Sequence, residues 1–238
     1  MTQTNYSTAQ SPTSPDLSTL KSDDSGLPNQ PVSSVENLPL SHQLPSDLDA
    51  ILTFWFCGVD GQVASYAERR AFWFNKSSAT DEMIRQRFSR CYEEIVAGNY
   101  KPWQSTPEGC LALVIALDQF SRNMFRGHPK AFSTDQQALA ITQRAIAQSF
   151  DQELLPVQRL FLYLPLEHSE RRDHQQQAVA LFQALADEHQ ELSDVHAYAL
   201  KHQAVIERFG RFPHRNDILG RTNTPEEIEF LKQPGSSF

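Results

Sequence analysis

The sequence predicts an all-α protein, a compact antiparallel array of helices. From residue 46 onward, apolar residues recur at intervals of three and four, which is the period of a helix with one buried face. Alternation with the period of two that marks strands is not sustained, and residues typical of strands are sparse. Because short polar segments separate the helical patterns, we expect neighbouring helices to be joined by short loops.

The N-terminal segment, residues 1–45, has a different composition. It consists largely of Ser, Thr, Pro, Gln and Asn with isolated leucines and one aromatic residue, Tyr6. Ordering a residue costs about 1–2 kcal/mol, which a segment without an apolar period does not offset. We therefore expect a disordered polar tail over residues 1–45 and a single all-helical domain over residues 46–238. The tail is either a dispensable extension or a site of phosphorylation or partner binding.

Charge and hydropathy exclude several classes of partner. The net charge of −8 disfavours nucleic acid, since such binding requires surplus Lys and Arg. No apolar run approaches the roughly 20 residues of a membrane span, so no membrane partner is expected. The N-terminus lacks the pattern of a secretory signal. The three cysteines include no C-x-x-C pair, and reduced thiols indicate a cytoplasmic protein.

The first helices are predicted from their ends. Residues 46–47 supply a cap for a helix that Gly58 ends. An aromatic group follows at residues 72–74. Residues 80–81 begin a longer helix with apolar side chains at helical spacing, which residues 98–99 end.

The next helix is predicted to be central in the fold. Thr106 is a typical N-cap and Pro107 a typical first residue, and residues 110–117 are apolar on every side. Further helices are predicted over about 133–149, 156–164, 169–188, 193–210 and 224–231. Of these, Pro165 interrupts or kinks the second, and Ser193-Asp194 caps the fourth.

Three polar segments interrupt this pattern, and the first is residues 118–126. Asp118 and Arg122 are four residues apart and share a helix face, as do Arg122 and Arg126. Arginines near the end of a helix are favoured by its dipole. The segment is either part of a binding site or an Asp118–Arg122 pair that ties two helices together.

The second polar segment covers residues 165–175. We expect His168 and Glu170 at the start of a helix that Ser169 caps, which would place Glu170 and His174 close enough to share a proton or a metal. The spacing differs from the Glu-x-x-His and His-Glu-x-x-His metal motifs, so no metal site is predicted. A buried histidine bonded to a carboxylate is the simpler interpretation.

The third polar segment, residues 209–221, is basic in an acidic protein. Gly210 and Gly220 are predicted to adopt special turns, and Pro213 prevents helical continuation. Several guanidinium groups in one loop suit two-point capture of phosphate or carboxylate. Equally, they could cap helix carbonyls and pair with acids. The basic side chains are Arg211, His214, Arg215 and Arg221, opposed in the loop by Asp217, and the acids elsewhere include Asp118 and Glu170.

The same segments resemble a bacterial family described as domain of unknown function 924. The resemblance covers about residues 46–232 and implies a fold similar to tetratricopeptide repeats, with no established reaction. The chain departs from the family pattern at His174, where an acid is expected. A 34-residue repeat consensus is not evident in the sequence. The matching stretches are Trp55-Phe56, Trp73-Phe74, 117–123, 164–170, 209–216 and 219–221.

One functional hypothesis is an enzyme or receptor with a pocket for a small anionic ligand. Charged side chains beside apolar helices require partners, because an unpaired buried charge is costly. The sequence names no cofactor. The candidate catalytic residues are Asp118, His168, Glu170 and His214, and the candidate ligand-binding residues are Arg122, Arg126, Arg211, Arg215, Asn216 and Arg221.

Two other interpretations remain open. A helical groove could bind a protein or peptide partner, as tetratricopeptide-like arrays commonly do. Alternatively, the polar side chains could form a buried network that fixes helix packing, in which removing one partner costs about 3–5 kcal/mol.

Overall fold

The computed structural model describes residues 46–237, which form helices without strands, so the all-α prediction is confirmed. An isolated antiparallel β-bridge pairs the backbones of Cys57 and Val63. The α-helices are α1 Asp47–Phe56, α2 Tyr66–Phe74, α3 Ser78–Val96, α4 Pro107–Val114, α5 Ser121–Met124, α6 Asp135–Ala147, α7 Pro156–Glu167, α8 Arg172–Glu188, α9 Ser193–Phe209 and α10 Pro225–Leu231. Short 3-10 turns lie at Lys101–Ser105, Pro129–Phe132, Phe150–Glu153, Gln190–Leu192 and Pro213–Arg215.

Side-chain caps begin several helices where the sequence predicts them. Ser46, Thr106 and Thr224 each accept a hydrogen bond from a backbone N–H three residues ahead. Such bonds satisfy donors that the first turn of a helix leaves unpaired. Helix α3 begins slightly earlier than predicted, because Ser77 accepts a bond of 3.2 Å from the Thr80 N–H.

The centre of the fold is a helical rod made of α4, a π-helical segment and α5. The π-helical segment, Ile115–Phe120, is buried along its whole length. Helices α1, α3, α6 and α7 pack around α4 and this segment. Trp55 packs edge-on against Phe120 and Phe161, with ring centroids 5.6 Å apart in both pairs. The π-helical segment, of a kind that recurs at functional sites, carries Asp118.

Pro165 does not end α7, which continues to Glu167, and the predicted helix end at Leu164 is wrong. Proline has no N–H to donate and disturbs the carbonyls of the preceding turn. One of these, the Leu162 carbonyl, accepts a hydrogen bond of 2.8 Å from the Thr142 hydroxyl on α6. The carbonyl that loses its helical donor at Pro165 is that of Phe161, four residues earlier, and α7 nevertheless continues past the proline and delivers residues 167–168 to the polar cluster.

The predicted helix start at Ser169 is also wrong, because α8 begins at Arg172. The Gln175 amide donates to the Ser169 carbonyl at 2.7 Å and holds the preceding segment in a non-helical turn. Glu170 therefore lies outside α8, and the predicted Glu170–His174 pair does not form. His174 Nδ1 instead lies 2.8 Å from the Ser169 hydroxyl.

The predicted turn at Gly210 is confirmed, since this residue ends α9 with a φ of 70°. The predicted cap at the other end of α9 is wrong. Its N-cap is Leu192, without a side-chain bond. Asp194 instead accepts hydrogen bonds of 3.0 Å from Tyr66 and from Arg70 on α2.

Two further predictions concern the whole chain. No helix within residues 46–237 combines the length and the apolar character that crossing a membrane requires. The expected polar tail, residues 1–45, lies outside the described residues. The tetratricopeptide-like arrangement stays a prediction, as does the single-domain boundary.

We expect Gly109→Ala to destabilise the domain by about 2 kcal/mol or more. Alanine is normally favoured over glycine inside a helix by about 1 kcal/mol. At Gly109, however, an added Cβ would overlap the carbonyl oxygen of Trp103 and lie 2.7 Å from the Thr106 hydroxyl. The free energy of unfolding in urea measures the effect. A stabilised variant would show that the Lys101–Ser105 turn does not pack this closely against α4.

Candidate functional site

The three polar segments converge in the fold. His168 Nδ1, from the second segment, lies 2.8 Å from a carboxylate oxygen of Asp118 in the first. Glu170 joins the second segment to the third, because it accepts bonds of 2.7 and 3.0 Å from the Arg221 guanidinium and one of 2.8 Å from the Phe212 N–H. The sequence hypothesis of a common site requires this convergence.

Asp118 is a carboxylate with no exposed surface. Its oxygens accept hydrogen bonds from His168 at 2.8 Å and from the Gln119 amide at 2.6 Å, and Arg122 lies 3.0 Å away. Burial alone would raise its pKa, but the charges of Arg122 and His168 and these hydrogen bonds hold the pKa well below its usual range. The predicted Asp118–Arg122 pair is confirmed.

His168 follows the last turn of α7 and presents its imidazole to Asp118. Since the carboxylate can only accept, the Nδ1 proton is donated to Asp118, and Nε2 of the neutral ring carries a lone pair. Burial lowers the pKa of His168, and the charge of Arg122 lowers it further against the opposing effect of Asp118. A neutral imidazole oriented by a carboxylate is the usual arrangement of a general base. The side chain retains 16% of its exposure.

Arg122 is bound on two sides. One of its nitrogens donates to the Asp118 carbonyl at 2.9 Å. Its two terminal nitrogens also donate to the two carboxylate oxygens of Asp135, at 2.9 and 3.2 Å. This two-point geometry is the strong form of a guanidinium–carboxylate pair. Asp135 is the first residue of α6, so the pair connects α6 to the central rod.

Arg215 is buried and incompletely paired. Its residue exposure is 6%, and its Nε has no hydrogen-bond partner among the described residues. Its ion-pair contact within residues 46–237 is with Asp135, at 3.6 Å. The guanidinium lies 4.9 Å from the ring centre of Phe132 and 4.5 Å from that of Phe212. Burial lowers the pKa of Arg215 to about 10, which leaves it charged at neutral pH.

A second buried pair, Glu167 and His202, lies beside this cluster. Glu167 Oε1 is 3.2 Å from His202 Nδ1, which also donates to the Tyr198 carbonyl at 2.9 Å. Burial raises the pKa of Glu167 to about 8, and the charge of Asp118 raises it too. Burial lowers the pKa of His202 to about 3. At neutral pH Glu167 therefore holds its carboxyl proton, and His202 is a neutral imidazole with its one proton on Nδ1.

His214, the fourth predicted catalytic residue, lies at the edge of the cluster with its ring centre 5.6 Å from that of Phe212. Burial lowers its pKa to about 4, and the charge of Arg215 acts in the same direction. His214 is therefore a neutral side chain next to the incompletely paired arginine.

The remaining predicted ligand-binding residues have polar partners of their own. Arg126 forms a two-point pair with Asp81 on α3, at 2.7 and 2.8 Å. Arg211 forms one with Glu227 on α10, also at 2.7 and 2.8 Å. Asn216 accepts a bond of 2.8 Å from Arg221. The two-point pairs compensate the charges of Arg126 and Arg211, so neither guanidinium requires a further anion as a partner.

Three residues of the cluster were not identified from the sequence. Asp135 has the ordinary appearance of an acid in the first turn of a helix. Glu167 was assigned to no role although it lies inside a matching stretch, and His202 is a single histidine within a helical pattern. The one feature of the sequence that could have indicated a role for Glu167 is its position next to His168. Within residues 46–237, no group of three or more His, Cys, Asp or Glu side chains is arranged to hold a metal.

The sequence matches the family model described as "Bacterial protein of unknown function (DUF924)" over residues 51–235. The chain belongs to this family. The match contains all three polar segments, so the buried cluster lies within the DUF924 region, and the family resemblance noted in the sequence is confirmed.

A solved structure supports the same fold for this DUF924 chain. The protein of unknown function ATU0120 from Agrobacterium tumefaciens is 36% identical and superposes with a TM-score of 0.65. The superposition covers 71% of the present chain and 92% of that protein. No curated protein matches the sequence.

We expect Glu167→Gln to change how stability depends on pH. A folded-state pKa of about 8, above the usual value of about 4.3, gives stability that is present at low pH and lost as the pH rises through 8. Between pH 6.5 and 8 the wild type should lose roughly 1–2 kcal/mol that the variant, which cannot ionise there, retains.

Urea denaturation of both proteins across that range makes the measurement. The lowered histidine pKa values, including those of His202 and His214, make stability rise with pH until the imidazoles of the unfolded chain, with a pKa of about 6.5, have lost their charge. This contribution is the same in both proteins and cancels in the comparison. Equal losses in the wild type and the variant would show that Glu167 is ionised in the folded protein.

Proposed function

We propose that the chain is an enzyme that binds a small anionic substrate and transfers a proton through His168. Arg215 would bind the negative charge, and His168 would accept the proton. The observation that carries the proposal is the incomplete pairing of Arg215, a buried cation whose Nε lacks a partner among the described residues. A buried donor of this kind is costly unless a ligand or water accepts from it.

Asp118, His168 and Glu167 would have different roles in the proton transfer. Asp118 holds the tautomer of His168 that leaves Nε2 able to accept a proton, and its negative charge would stabilise the imidazolium that then forms. Glu167 is protonated at neutral pH and is the candidate donor for the returning proton. The reaction class this supports is proton abstraction, from the substrate or from an attacking water.

A purely structural network explains the geometry less well. Arg126, Arg211 and Arg221 each donate through two nitrogens to a carboxylate at hydrogen-bond distance, as packing pairs do. Arg215 is more deeply buried than these residues, yet its carboxylate contact of 3.6 Å is longer than a hydrogen bond. The difference supports a binding role for Arg215.

We expect His168 to be neutral at pH 7 with its proton on Nδ1. Donation to Asp118 selects this tautomer, and burial opposes a second proton. Two-bond nitrogen–proton NMR spectra distinguish the two tautomers and the cation, and Asp118→Asn should change the pattern. A doubly protonated or Nε2-protonated ring would remove His168 as a general base.

We expect small anions to raise the melting temperature of the wild type but not of Arg215→Met. A ligand at 100 times its dissociation constant adds about 2.7 kcal/mol, roughly 5–11 °C for a domain of this size. Phosphate, sulfate and a series of short carboxylic acids are suitable probes, followed by thermal denaturation. Methionine fills the apolar space between Phe132 and Phe212 without a charge.

Arg159→Met is the matched control, because Arg159 is similarly buried but paired with Glu188 at 2.9 Å. It should lower stability without removing the anion effect. If Arg215→Met does not fold, Arg215→Lys, which keeps the charge but loses the planar fork, should bind anions more weakly than the wild type. Equal anion shifts in wild type and folded Arg215 variants would refute the proposal.

A further inference from the structure

The Asp135 carboxylate lies between the two arginines of the candidate site. Its Oδ1 accepts from Arg122 at 2.9 Å. Its Oδ2 accepts from the second terminal nitrogen of Arg122 at 3.2 Å and lies 3.6 Å from Arg215. One planar carboxylate group thus contacts two guanidinium groups, an arrangement with which proteins also bind the carboxylates of ligands.

Asp118 and Asp135 do not bind their shared partner in equivalent ways. Asp118 is fully buried and keeps Arg122 compensated at 3.0 Å whether or not Asp135 is present. The Asp135 side chain, on the first residue of α6, keeps 20% of its exposure, whereas that of Asp118 keeps 1%. Solvent weakens an ion pair that it can reach, so the partly exposed Asp135 contact is the easier of the two to exchange.

We infer that the Asp135 side chain occupies the position of a ligand carboxylate, and that the substrates of this site are carboxylic acids whose carboxylate replaces it. The inference rests on the proposed function and names its substrate class. On binding, the ligand would take over the contacts to Arg122 and Arg215, and Asp135 would turn towards solvent. Asp135 is then a specificity-determining residue that competes with weakly bound anions.

The charge balance of the cluster favours a single negative charge. Arg122 and Arg215 are matched by Asp118 and Asp135, while His168 is neutral. A monocarboxylate that displaces Asp135 leaves this balance unchanged at the buried positions. A phosphate dianion would bring an additional negative charge beside Asp118, where the surroundings weaken screening. Carboxylate is also planar, like the aspartate group that it replaces.

The decisive experiment is calorimetric titration of the full chain and its Asp135→Asn variant with acetate and with inorganic phosphate. Asparagine keeps the shape of aspartate but removes the competing charge. Acetate should bind the variant about tenfold more tightly than it binds the wild type, and in each protein acetate should bind more tightly than phosphate. Asp81→Asn is the matched control, since Asp81 forms a comparable two-point pair with Arg126 outside the site. It should leave acetate affinity unchanged.

The possible results separate the two proposals. Weaker acetate binding in Asp135→Asn would overturn the inference but leave the anion site intact, because Asp135 would then support the arginines rather than compete. Tighter binding of phosphate than of acetate to the wild type and to the variant would overturn the carboxylate class. No binding of either anion to wild type and variant would overturn the proposed function as well. If Asp135→Asn does not fold, Asp135→Ser replaces it and is also expected to bind acetate more tightly than the wild type. Weaker acetate binding by Asp135→Ser would likewise overturn the inference.

Discussion

The buried carboxylate of Asp118 is the constraint on which the polar centre of this protein depends. Removing such a group from water costs several kcal/mol, which is offset only where charged and hydrogen-bonding partners surround it. Arg122, His168 and Gln119 fulfil this requirement. His168 comes from the end of α7, so the carboxylate fixes how α7 approaches the central rod. The continuation of α7 past Pro165 is what brings this histidine within reach.

Arg215 shows the opposite balance between stability and binding. A buried donor without a partner costs about 1–3 kcal/mol, and a hydrophobic side chain of similar volume would avoid that cost. The neighbouring rings of Phe132 and Phe212 offset part of it, because a guanidinium is attracted to aromatic faces. A cation that is held in place by aromatic rings, and whose one carboxylate contact at 3.6 Å is longer than a hydrogen bond, is suited to binding an anion, whereas the two-point Arg126–Asp81 pair is suited to packing.

Local chemistry was predictable from the sequence, and long-range pairing was not. Thr106 as a cap, Gly210 as a left-handed turn and the Asp118–Arg122 spacing depend on neighbours within a few residues, so their patterns are visible in the chain. Glu170 and Arg221 are 51 residues apart, and no spacing rule connects them. The Glu170–Arg221 ion pair and the Gln175 amide hold the segment before α8 in a non-helical conformation. The helix start predicted from the capping pattern at Ser169 was therefore wrong.

Glu167 and His168 are adjacent in the sequence but lie in different surroundings, which give them different protonation states. Glu167 ends α7 with its Oε1 3.2 Å from Nδ1 of His202, whose neutral ring supplies no charge to stabilise a carboxylate, so burial dominates and the carboxyl keeps its proton. His168, one residue later, faces Asp118 and the arginines, where burial and positive charge keep it neutral. A protonated acid close to a neutral imidazole that can accept a proton is the condition for general acid–base catalysis. Neither state follows from residue type, because both arise from the side of the helix end on which each group lies.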